Sequence, residues 1–217
     1  MFLETNKLSK QYGLKTVLNE VRLKINEGDF VSIVGPSGSG KTTLLNILSL
    51  ISNQTSGDYQ FLGRDNQAIL SNYNDSINCR KKIGVMSNLS ELLPDLTIRA
   101  NILLPAYIHN DLNGAEENLE ELVRFADIVD LQNEKPISLS SGERQRALLC
   151  RALIMNPKIL IADEPTSNLD ERNALNLIEY LVNLNDKNKT TIIMATHDHK
   201  IYTKAKTIYE LNNGKLN

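Results

Sequence analysis

Cysteine is nearly absent from this chain: Cys79 and Cys150 are the only two among 217 residues. They stand far apart and in no metal-ligand spacing. That argues against a disulfide framework or a zinc site and fits a reducing cytosol. Long apolar runs are also missing. No stretch approaches the roughly 20 residues that a spanning helix needs, so any membrane role has to come through a partner. The segment from Met1 to Lys7 lacks the layout of a signal peptide. Charge of one sign is missing too. Lys and Arg number 24 against 26 Asp and Glu, for a formal net charge of −2, so no nucleic-acid partner is expected. Basic clusters such as Arg80-Lys81-Lys82 read as solvated surface. Low-complexity tails and Pro/Gly-rich linkers are absent, and no motif below occurs twice, so the chain is not a tandem repeat. What remains is an ordinary soluble composition, 41% hydrophobic and 23% charged. The length suffices for one large domain, or a domain with a lobe.

The strongest feature present is Gly35-Pro36-Ser37-Gly38-Ser39-Gly40-Lys41-Thr42-Thr43, a complete G-x-x-x-x-G-K-[ST] phosphate loop. It follows an apolar run, 30–34, that reads as a buried strand. It precedes Leu44-Leu45-Asn46-Ile47-Leu48, which reads as the first turns of a helix. Glycines let backbone N–H groups turn inward around an anion, and a helix N-terminus adds partial positive charge behind it. In such a loop Lys41 reaches the β/γ-phosphates and the Thr42 hydroxyl holds Mg²⁺.

Alternation through the first 34 residues, as in Val21-Arg22-Leu23-Lys24-Ile25, predicts strands. Further short strands are predicted at 58–61 and 82–86. Residues 97–131 carry apolar positions at helical spacing, with Glu116, Glu117, Glu120 and Glu121 as a solvated face. A helix is predicted from 143 to about 155, where Asn156-Pro157 stops it. Buried strands follow at 159–162 and 190–195, with a helix over 171–185 between them. Apolar β-branched strands alternating with helices predict an α/β fold with a mostly parallel sheet. The expected division is a core of 1–88 and 156–217, with an inserted helical subdomain over about 89–155.

The strand at 159–162 ends in Asp163 and Glu164, which places two acids at the sheet edge where ligands bind in such folds. Asp163 is expected to hold Mg²⁺, and Glu164 to accept a proton from an attacking water. A third pattern, Leu139-Ser140-Ser141-Gly142-Glu143-Arg144-Gln145-Arg146, opens a helix. Ser140 is an apt N-cap with Glu143 three residues on.

That octet is similar to the L-S-G-G-[EQ]-x-Q-R signature of the ATP-binding cassette family, and the other family positions follow in order over essentially the whole chain. Tyr12 before Gly13 matches the adenine-stacking aromatic. Ser167-Asn168-Leu169-Asp170 matches the loop that crosses the dimer seam, and His197 the switch histidine. The resemblance implies a P-loop NTPase with an N-terminal antiparallel β subdomain and an inserted α-helical subdomain, binding ATP and Mg²⁺. It implies two cassettes pairing, as a homodimer or with a different cassette, so that Ser140, Ser141 and Gly142 of one cover the γ-phosphate held by the other. Two positions depart from the family. Ser141 replaces the first signature glycine, and Asn88 stands where a glutamine would contact Mg²⁺ or the water.

The resemblance further implies an ATPase peripheral to the cytoplasmic membrane face, attached to a separate permease through the segment 92–97. The segment around the phosphate loop looks like the lipoprotein-releasing, macrolide-exporting and antimicrobial-peptide-exporting branch. A cell-division type of clamp that moves no substrate stays open as an alternative. A soluble repair or translation cassette fits less well, since those carry long coiled-coil inserts or two cassettes per chain.

Overall fold

The computed structural model describes residues 2–87 and 91–217. Strands β1 (Leu3–Tyr12), β2 (Lys15–Ile25) and β3 (Phe30–Val34) lead into α1 (Lys41–Leu48). Then come β4 (Ser56–Phe61), β5 (Arg64–Asp65), α2 (Asn66–Ser71), α3 (Tyr73–Arg80) and β6 (Ile83–Met86). A helical stretch follows: α4 (Ile98–His109), α5 (Leu112–Phe125), two 3₁₀ turns at Val129–Leu131 and Pro136–Ser138, and α6 (Ser141–Leu153). The chain closes with β7 (Ile159–Asp163), α7 (Glu171–Asn188), β8 (Thr191–Ala195), α8 (His199–Tyr202), β9 (Thr207–Asn212) and β10 (Lys215–Leu216).

The strands form two sheets. One has the order β2-β1-β4-β5 and is antiparallel throughout. The other has the order β10-β9-β3-β8-β7-β6, parallel except for the closing β9–β10 hairpin. The strands of the parallel sheet are apolar in both parities because both faces are covered. Phe30, Leu160, Ala162, Ile192 and Met194 face a core shared with α4, α5, α6 and α7. Val31, Ile33, Ile159, Ile161 and Ile193 face a second core shared with α1 and the antiparallel sheet. Alternation along a strand splits one apolar run between two cores.

Local chemistry sets the helix ends. Thr97 caps α4 through Ala100 N (3.2 Å). The stretch of helical periodicity at 97–131 is divided at Asn110, which takes a left-handed conformation with φ 52°. Helices α2 and α3 were not evident from periodicity. They depend on caps, Asp65 accepting from Gln67 N and Ala68 N, and Asn72 from Asp75 N. Both cysteines are buried and free, and burial pushes the Cys150 thiol up to about 12.

Leu160 is fully buried between sheet and helices, whereas Leu14 stands wholly in solvent. Leu160→Ala is expected to cost about 2–5 kcal/mol of unfolding free energy, and Leu14→Ala less than about 0.5 kcal/mol. Urea titration of both variants checks the contrast.

Candidate active site

The parallel register brings three segments to one sheet edge. Ile33 and Asp163 both pair with Ala195 of β8, so the ends of β3, β7 and β8 lie side by side. The loop after β3, the acids ending β7 and His197 after β8 therefore share a cleft of about 730 Å³. Gly35, Pro36, Ser37, Gly38, Gly40, Lys41, Thr42 and Thr43 line it, with Asp163, Glu164, Ser167 and His197 opposite.

The loop needs glycine at its start for two reasons. Gly35 has φ 152°, and a Cβ there would sit 2.1 Å from the Leu211 carbonyl oxygen. Gly40 caps α1 in a left-handed conformation, φ 108°, with no side chain of its own to occupy the helix N-terminus. The Lys41 ammonium curls over the loop and donates to the Gly35 and Pro36 carbonyls, at 2.7 and 3.1 Å. Ser39 is 6% exposed and its hydroxyl has no hydrogen-bond partner among the described residues.

The Thr42 hydroxyl donates to Asp163 Oδ2 at 2.6 Å, joining the phosphate-type loop to the end of β7. Asp163 is 3% exposed. Its burial holds the carboxyl above the usual carboxylate range, with the nearby Glu164 charge adding to the rise, while the Thr42 bond and Lys41 oppose it. A hydroxyl and a carboxylate in contact are the oxygen donors that a hard cation takes.

Glu164 follows in a left-handed conformation, φ 50°, which a non-glycine residue rarely adopts. Its carboxylate Oε1 lies 2.9 Å from His197 Nδ1. An ionised carboxylate can only accept, so Nδ1 is the donor in this pair. His197 is otherwise open, its side chain 75% exposed against 16% for Glu164. A carboxylate held beside a phosphate-type loop can take a proton from a water between them.

The remaining predicted residues lie elsewhere. Tyr12 is 55% exposed at the β1–β2 hairpin and does not line the cleft, although Lys15 of the same hairpin does. Ser140, Ser141 and Gly142 form the start of α6, also outside it. Ser140 accepts from Glu143 N at 3.3 Å, and Glu143 Oε2 accepts from the Ser140 N–H and hydroxyl, each at 2.7 Å. These bonds, with nearby Arg146 and Arg144, hold the Glu143 carboxyl below its ordinary range. Ser141 has no positive φ, so its Cβ costs nothing in backbone strain. Asp170 caps α7, accepting from Asn173 N at 2.9 Å. Asn88 lies outside the described residues.

The family model described as ABC transporter matches residues 18–167. The chain belongs to the ABC transporter family. Within it, the chain is 37% identical to the lipoprotein-releasing system ATP-binding protein LolD of Wigglesworthia glossinidia brevipalpis, over 92% of this chain and 87% of that protein. It is 36% identical to the macrolide export ATP-binding/permease protein MacB of Campylobacter jejuni, over 96% of this chain but 32% of that longer protein. Among solved structures, a dimeric ATP-binding cassette in a post-hydrolysis state bound to ADP and Pi superposes with a TM-score of 0.90. The match is 30% identical and covers 99% of this chain and 96% of that one. The fold is thus that of an ABC cassette, as the sequence predicted, and the chain is an ATP-binding protein and an ATPase. Among the described residues no helix is long and apolar enough to cross a membrane.

One residue of the octet received no role in the sequence reading. Gln145, 6% exposed, reaches from α6 to the carbonyls of Glu164 and Pro165. The available signal was a polar residue in register with the apolar face at Leu149 and Ala152.

A buried carboxyl whose folded-state value is raised weakens the nucleotide-free fold above that value, and the cost fades as pH falls through it. Asp163→Asn is therefore expected to raise the Tm of the nucleotide-free, metal-free chain at pH 7, with the gain shrinking in acid. A thermal-melt series against pH checks this, and a lowered Tm at pH 7 would contradict it.

Proposed function

We propose that this cassette powers a transporter whose permease is a separate chain, exporting or extracting a peptide, lipoprotein or drug. The observation that carries the proposal is the single cleft joining Lys41, Thr42, Asp163, Glu164 and His197. The similarity to LolD over almost all of both chains supports the transport setting.

ATP enters with its β- and γ-phosphates against the loop. The Lys41 ammonium leaves the Gly35 and Pro36 carbonyls for phosphate oxygens, and the Ser39 hydroxyl gains the partner it lacks. Thr42 and Asp163 hold Mg²⁺, which when bound neutralises charge on the phosphate oxygens. A water held by Glu164 attacks the γ-phosphorus, its proton passes to the carboxylate, and the bond to the bridging oxygen of ADP breaks. His197 Nδ1 steadies the carboxylate, which places the imidazole beside the γ-phosphate. Tyr12 stacks on the adenine, and Asn88 serves in the role the family gives to glutamine.

The start of α6 lies outside its own cleft, and the similar solved cassette is dimeric. We therefore assign Ser140, Ser141 and Gly142 to the nucleotide of a second cassette, with Asp170 in the loop across the seam. ATP closes that pair and hydrolysis opens it. The core of 1–88 and 156–217 holds nucleotide, while the helical subdomain of about 89–155 carries the signature and meets the permease at the cytoplasmic membrane face. In its 92–97 segment Leu92 is core, whereas Leu93 is 44% exposed and free for such a contact.

Lys41→Ala is expected to weaken ATP binding by about 100-fold or more, since charge-assisted contacts to phosphate are lost. Fluorescent-nucleotide titration reads the change, and unchanged affinity would refute the loop assignment. Affinity purification of the tagged chain from its own membranes is expected to yield a multi-span protein with a substrate path. A partner without one would favour the non-transporting clamp.

A further inference from the structure

We infer that Gln145 is a positioning residue for hydrolysis: its amide fixes the backbone of Glu164 and Pro165, and with it the carboxylate facing the water. The inference rests on the assignment of Glu164 as the base.

The backbone at Glu164 needs holding. Its φ of 50° is a strained conformation for a residue with a Cβ, and such a residue persists only where its surroundings over-determine it. The Glu164 N–H donates to Ala195 O at 2.8 Å, which ties it to β8. Its carbonyl accepts from Ser167 N at 3.2 Å and Ser167 Oγ at 3.1 Å, both within the same turn. Gln145 supplies the bond from outside that turn, Nε2 to Glu164 O at 3.0 Å. The same nitrogen donates its second proton to Pro165 O at 2.6 Å. One side chain thus grips two consecutive carbonyls directly after the carboxylate-bearing Cα.

The amide orientation follows from chemistry. Only the NH₂ end can face two carbonyl oxygens, because the oxygen end would meet their lone pairs. Burying this amide is not free. Gln145 is 6% exposed, and its Oε1 has no hydrogen-bond partner among the described residues. A thioether of similar length would fill the space without an orphaned oxygen, so stability of α6 alone does not call for glutamine here. What glutamine adds is the double grip. The grip also joins Glu164 to the helix whose N-cap is Ser140, so the carboxylate is held by the element that carries the signature.

The test uses the full chain and steady-state ATP hydrolysis, with nucleotide affinity measured separately. Gln145→Met removes both donors at similar length, and Gln145→Asn keeps the amide one methylene too short. Should the first not fold, as judged by circular dichroism, the second carries the comparison. We expect kcat to fall about 10- to 100-fold, the scale of a misplaced catalytic group, and nucleotide affinity to change less than roughly threefold. The discriminating readout is the double variant. In single-turnover hydrolysis, Gln145→Met added to Glu164→Gln is expected to cause no further loss, because the group it positions is gone. Losses that multiply would mean a general structural role and overturn the inference. An unchanged kcat in folded Gln145 variants, beside an inactive Glu164→Gln, would overturn it while leaving Glu164 as the base. Full activity in Glu164→Gln would overturn the base assignment and this inference together.

Discussion

Parallel pairing of β3, β8 and β7 is the constraint on which the site depends. These strands lie far apart in sequence, yet Ile33 and Asp163 meet the same residue of β8. The apolar pattern cannot set that register, because both faces of each strand are buried and a slip would move one aliphatic side chain into another's place. Polar groups at the strand ends can set it. Thr191 N donates to Lys158 O at 2.9 Å at one end, and Glu164 N to Ala195 O at 2.8 Å at the other. Beyond the last rung, Thr42 and Asp163 close the loop onto β7. Strand register and site geometry are therefore one arrangement.

The polar side of that edge carries two costs that a purely structural sheet would avoid. Asp163 is a carboxyl buried where its charge is disfavoured, and Glu164 has a backbone that its side chain disfavours. Both lie within hydrogen-bond reach of groups that hold them: Thr42 for the first, Ala195, Ser167 and Gln145 for the second. A metal cation would relieve the first cost and leave the second in place. This pattern of local penalty and surrounding restraint is what a pre-organised phosphoryl-transfer site requires.

Much of this was legible in the sequence where one physical signal dominated. The phosphate loop, the strand into Asp163 and the strand at 191–195 each carry a continuous apolar run ending in polar residues. Their spans agree with the structure within a residue or so. Helices α2 and α3 were not legible. Among the residues of α3 only Ser76 and Cys79 are buried, so the segment offers no apolar stripe, and its Asn72 cap reads equally well as a turn. Within the site, motif order pointed to Lys41, Asp163, Glu164 and His197 because those residues sit beside strand ends. Gln145 stood in the octet, but its role was hidden because its partners are backbone carbonyls, and carbonyls leave no mark on a sequence. Tyr12, Ser140, Ser141, Gly142 and Asp170 stand apart from the cleft in a single chain; the role proposed for Tyr12 needs the nucleotide, and those proposed for the other four need a second cassette.

The central claim is that ATP closes two cassettes into a clamp and hydrolysis opens it. Light-scattering mass of the purified Glu164→Gln chain, with and without Mg²⁺-ATP, tests it most directly. Binding without water activation predicts a monomer that becomes a stable dimer on adding nucleotide. A chain that binds ATP yet keeps the monomer mass at every concentration would contradict the paired, two-nucleotide seam.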